Sequence, residues 1–271
     1  MSNDPNYNPF QSPVAPQSHQ YPPPAPMWNI MPFVSGHQRA VIAIVLLAIM
    51  GILNLAGAVS AAAEYASLKP LPNGDFDHVG MGAEMAQARL ILSWLVFPVW
   101  IGTIVAFCMW THRAARNLPA LGGRGLKYTP GWAVGWFFVP IANLVMPYLV
   151  AAEIWRESDP AQCDRDGRGG KTTSPLVGAW WITYVVHRVA PGIVSVYATI
   201  KLMTTFIGMP STTPEEMAAR ATRILPIVLP TTAAAQVLGL VAAILAIMYV
   251  WRVDANQQAK FDLISGERHS T

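Results

Sequence analysis

TPGWAVGWFFVPIANLVMPYLVAAEIW, Thr129–Trp155, is the stretch that decides the fold of this chain. It is apolar and long enough to cross a bilayer, for which about 20 apolar residues suffice. It also carries Pro130, Pro140 and Pro147, with Asn143 between the last two. Each proline removes a backbone donor and disfavours helix in the residue before it. Within lipid, protein or water must satisfy the groups such breaks set free. The segment therefore reads in two ways: as a fifth crossing, or as a central re-entrant or interfacial helical element.

Four firmer apolar blocks surround it, at 40–63, 90–110, 176–200 and 224–251. Hydrophobic residues make up 53% of the chain and charged residues 12%. A soluble domain carries about a quarter charged residues, so an ordinary globular fold is excluded. A backbone in lipid must satisfy its own hydrogen bonds, so each block is expected to be helical. The fold class is all-α integral membrane, with four transmembrane helices arranged as two hairpins around the central segment 129–155. The alternative is five transmembrane helices. A polytopic domain over 37–256 is expected to lie between a disordered Pro/Gln/Asn-rich tail, 1–36, and a short polar tail, 257–271.

Charge separates the two topologies. If the central segment does not cross, twelve Lys and Arg residues fall on one side and five on the other. If it crosses, the split is eight against nine. The positive-inside rule favours the first arrangement, with both termini cytoplasmic. A weak internal repeat agrees, matching Tyr65-Ala66-Ser67-Leu68-Lys69 to Tyr197-Ala198-Thr199-Ile200-Lys201 and Glu84-Met85-Ala86 to Glu216-Met217-Ala218. It would make the hairpins related units, though chance within a narrow membrane alphabet accounts for it equally well. Trp110, followed by His112, Arg113 and Arg116, reads as an interfacial anchor with a basic collar. Thr213-Pro214-Glu215-Glu216 has capping-box spacing ahead of the last block.

Arg116-Asn117, Leu121-Gly122, Pro130 and Trp132, Gly135-Trp136, Pro140-Ile141, Asn143-Leu144, Pro147 and Glu153-Ile154-Trp155-Arg156 form a pattern. In it the chain resembles the bacterial membrane family catalogued as domain of unknown function 4328. The resemblance runs from about residue 90 to 251, with its specific residues between Arg113 and Asp159. It implies a bacterial multi-pass protein of the inner membrane and supplies no activity.

Few residues look chemical. His187-Arg188 stands out, because Arg188 sits at the midpoint of its apolar block. A charge at that depth is costly, and no carboxylate lies within the firm blocks to pair with it. It reads as an anion, lipid-headgroup or proton-coupled site, or as an arginine bonded to backbone carbonyls. Glu64 and Glu153 are the nearest acids by depth. Glu153 and Arg156 have intrahelical pair spacing. Asn143 would bond the broken backbone or touch a ligand. Trp132, Trp136 and Trp155 suit an interfacial belt. No catalytic, cofactor-binding or metal constellation is legible. Gly122-Gly123-Arg124-Gly125 lacks the Lys-Ser/Thr ending of a phosphate loop, and Asp164-Arg165-Asp166-Gly167 lacks the remaining ligands of a calcium loop. No basic patch interleaved with aromatics points to nucleic acid.

The expectation is a non-enzymatic structural or interaction module in the lipid bilayer. The alternative is a small-molecule, anion or lipid binding or transport protein that uses Arg188 and the broken segment. The proline-rich tail offers a docking segment for a protein partner or serves as a solvated linker. A homo-oligomer is compatible with the sequence.

Overall fold

A computed structural model describes residues 32–67, 78–123, 125–162, 174–206 and 225–270. Four long helices dominate: α1 (His37–Ser67), α2 (His78–Asn117), α5 (Pro175–Phe206) and α6 (Leu225–Ser270). Two short ones, α3 (Pro130–Gly135) and α4 (Met146–Glu157), lie between α2 and α5. There is no strand among the described residues. Among the described residues, three helices are long and apolar enough to cross a membrane: His37–Ala66, Ser93–Asn117 and Leu225–Gly266. The block at 176–200 is helical and its helix has 32 residues, yet it falls outside that set.

The long helices alternate in direction. Gly36 at the start of α1 lies against Arg113, near the end of α2, and Asp254 of α6. Further along, Thr103 of α2 reaches Leu46 of α1, and Gly57 of α1 meets Gln236 of α6. α1 packs on both α2 and α6, and α6 packs on α5, giving the order α2–α1–α6–α5. Small residues allow the central pair to approach closely. A Cβ added at Gly51 would stand 3.3 Å from Leu240 and 3.6 Å from Ala243. The outward faces are apolar: Ile52, Trp94, Phe97 and Ile193 are all exposed.

The central segment is not one helix. Thr129 caps α3 by accepting a hydrogen bond from Trp132 N, with Pro130 in the first turn. Pro140 then interrupts the chain. Ile141 adopts φ +67°, and Ala142 N donates across it to Pro140 O at 2.8 Å, a γ-turn of the rare positive-φ kind. A short 3-10 turn, Ala142–Leu144, leads into α4. Both flanks of the segment pack at the same end of the array. Phe107 and Trp110 of α2, and Trp180 of α5, surround Tyr249 of α6 there.

Several expectations change. Trp110 is no surface anchor; it is 1% exposed at the centre of this aromatic cluster. The helices outrun the apolar blocks at 40–63 and 90–110, because α1 runs to Ser67 and α2 begins at His78. The last helix does not stop with its apolar block: α6 continues through the polar stretch to Ser270, and Val253, Gln257 and Lys260 are buried. Residues 32–36 are tied down, since Val34 pairs with Asn117 and Phe33 stacks on Phe261. The capping box at 213–216, the stretch at 164–167, Cys163, Arg124 and residues 1–31 lie outside the described residues, as does part of the repeat.

Candidate functional site

The site is a cleft between α2 and α5. These two helices barely touch along their length, while α1 and α6 form the floor behind them. At one end the central segment fills the gap. Phe137 meets Phe107 of α2 at 6.0 Å and Trp181 of α5 at 6.3 Å between ring centroids. Trp181 Nε1 donates to Leu144 O at 2.9 Å, satisfying a carbonyl that the 3-10 turn leaves free. Tyr249 hydroxyl donates to Ala151 O at 3.2 Å. Phe107 lies about 15 Å along α2 from Asn117, so the segment reaches that far into the array.

Beyond this plug lies a cavity of about 140 Å³. Leu47, Met50, Ile104, Ala242 and Ala243 make it apolar, and Asn54, Tyr184, His187 and Arg188 supply polar groups. Helix α6 comes close here through Gly239, where a Cβ would stand 2.6 Å from the His187 ring and 2.9 Å from Asn54 Nδ2. His187 Nδ1 shares a 2.7 Å hydrogen bond with Ala235 O, which makes that nitrogen the donor. The Arg188 guanidinium sits 5.1 Å from the Trp100 ring centroid, bridging the two lips of the cleft. It bonds neither Glu64 nor Glu153, nor any backbone carbonyl among the described residues. The side chain is exposed.

A second polar assembly closes the plugged end. Gln257 Nε2 donates to Ala114 O at 3.0 Å and to Ser158 Oγ at 3.1 Å. Gln257 Oε1 accepts from Asn117 Nδ2, which also donates to Val34 O. Lys260 Nζ reaches Glu157 O at 2.9 Å, and His37 pairs with Asp254 at 2.9 Å. Asn117 is thus a structural hub, and Arg116 occupies the last turn of α2 beside it.

The other sequence-selected residues divide between these places. Glu153 does not pair with Arg156, whose Nε contacts Glu157 at 3.0 Å. Instead its buried carboxylate accepts from Lys127 N at 2.9 Å and Tyr128 N at 3.3 Å, fastening α4 to the chain entering α3. Burial pushes the Glu153 carboxyl above its ordinary value, against the pull of those two N–H groups and of Arg156. Asn143 acts through its backbone, donating to Val139 O. Trp132 lies tilted against Trp136 and is exposed, whereas Trp155 packs inward against Tyr249. Pro147 is buried in the first turn of α4, and Pro140 stands exposed at the bend. Of the thirteen candidates, only His187 and Arg188 line the cleft. Sequence reasoning missed Trp100, Asn54 and Gln257. Asn54, a lone amide within an apolar block, was the one visible signal.

No three His, Cys, Asp or Glu side chains converge as a metal site among the described residues. Residues 77–255 match the family model described as Domain of unknown function (DUF4328), and the chain belongs to that family. No curated protein and no solved structure matches it.

Proposed function

We propose that this family member is a bacterial inner-membrane protein with four crossing helices, a re-entrant central plug and cytoplasmic termini. It acts as a non-enzymatic interaction module. One observation carries the reading: α2 ends and α5 begins at the same end of the helix array, beside Tyr249. A segment joining two such points returns to the face it left. The depth of about 15 Å is half of a hydrocarbon core of about 30 Å. The helix breaks at Pro140 and Ile141 suit a turn inside protein walls better than a straight span. The bias of twelve basic residues against five supports placing the plugged end in the cytoplasm. Helix α5 crosses in this reading, with Arg188 over Trp100 on the cleft side.

Cysteine accessibility tests it. Cys108→Ala leaves Cys163 as a natural probe in the stretch between α4 and α5, and Ser211→Cys adds one between α5 and α6. In intact cells an impermeant maleimide should label the cysteine introduced at 211 and spare Cys163. Labelling of Cys163 from outside refutes the re-entrant plug.

A further inference from the structure

We infer that the cleft between α2 and α5 binds a single-chain anionic amphiphile, a fatty carboxylate or an alkyl or prenyl phosphate, with its head group on Arg188. The inference requires that these helices lie in a bilayer, not that four of them cross.

The ligand class follows from three features. The first is charge. Arg188 presents five N–H donors and accepts nothing. Its only described partner is the face of Trp100, which attracts the cation without using up the fork. A carboxylate or phosphate matches that fork with two parallel hydrogen bonds. The second feature is volume. An apolar cavity of about 150 Å³ holds a body the size of benzene. The 140 Å³ here therefore suits one thin chain segment, not a diacyl lipid. The third is access. The cavity is walled by α1 and α6 behind and by the plug at one end, and its free side is the gap between α2 and α5. That side faces the lipid in which such chains are dissolved. Asn54, Tyr184 and His187 add neutral polar groups within the cavity, and among the described residues no carboxylate lines it to repel an anion.

The test uses the full-length protein in nanodiscs of phosphatidylcholine. Trp100, Trp180 and Trp181 line the cavity, so a brominated stearate bound there quenches tryptophan emission. Saturable quenching is expected, displaced by stearate or by stearyl phosphate; the better competitor identifies the head group. Stearyl alcohol, which has the chain without the charge, and inorganic phosphate, which has the charge without the chain, should not compete. Arg188→Gln should weaken binding at least about ten-fold while the melting temperature is retained, and Arg188→Lys should fall between. Non-saturable quenching, equal competition by the alcohol, or wild-type affinity in a folded Arg188→Gln protein each overturns the inference. Should cysteine mapping fail while charge-dependent binding holds, the topology is wrong and the site stands.

Discussion

Gln257→Ala should be among the more damaging single substitutions in the chain, although hydropathy places that residue in a tail. The side chain is 4% exposed and takes part in three hydrogen bonds, to Ala114 O, Ser158 Oγ and Asn117 Nδ2. Each contributes about 1 kcal/mol net, and an orphaned buried partner costs more. Asn117 keeps its bond to Val34 O. Ala114 O fares worse, because it is among the last four carbonyls of α2 and Leu118 N turns to Ala115 O instead. With the lost packing, the expected loss is about 3 kcal/mol, or roughly 6–12 °C in midpoint for a chain of this size. Thermal unfolding in a mild detergent, followed by tryptophan emission, reads it directly. Gln258→Ala is the matched control, since that side chain is exposed and bonds only Asp262; it should shift the midpoint little. In a double-mutant cycle, Asn117→Ala and Gln257→Ala should couple by about 1 kcal/mol. If Gln257→Ala melts with Gln258→Ala and the wild type, the end of α6 does not dock on α2 and α4.

Four further substitutions test other parts of the fold. Gly239→Ala places a Cβ 2.6 Å from the His187 ring and should cost about 1–3 kcal/mol by overpacking, measured as a lower melting midpoint. Gly178→Ala, whose Cβ would meet nothing within 4 Å, should be neutral or slightly stabilising, and equal losses at both sites would contradict the close crossing. Ile141→Gly should raise the midpoint by the equivalent of about 1 kcal/mol, because a β-branched residue at φ +67° is strained; an unchanged or lower midpoint would argue against that backbone. Glu153→Gln should flatten the pH dependence of stability. Its folded pKa lies above the unfolded value, so the folded state holds the proton more tightly. Stability from this group is therefore greatest below the unfolded pKa and declines as pH rises through the interval up to the folded one. Wild type and variant melting in parallel across that interval would sink the assignment.

What the sequence revealed was local in character. Long apolar runs imposed helix, and Pro140 with Asn143 marked the place where the central helix breaks. What it concealed depends on partners far away in the chain. Hydropathy ends the last block at Trp251, yet Gln257 is buried because Asn117 and Ser158, each on another element, turn toward it. The Glu153 spacing suggested an ion pair with Arg156, but its partners are backbone N–H groups, which leave no trace in residue identity. Arg188 was conspicuous for the lack of a nearby acid. Its aromatic partner, Trp100, lies on a different helix, and no periodicity in either helix pairs the two.

The Trp181–Leu144 hydrogen bond has a mechanical consequence. Trp181 belongs to α5, and Leu144 belongs to the plug that rests on Phe107 of α2 through Phe137. The plug is therefore a spacer whose thickness sets how far α2 stands from α5, and it is stitched to one of the two helices it separates. Widening the gap must either stretch that stitch or carry the plug along with α5. Aperture and plug position are then a single mechanical coordinate, and the Glu153 bonds to Lys127 and Tyr128 extend that coordinate to the chain that enters α3.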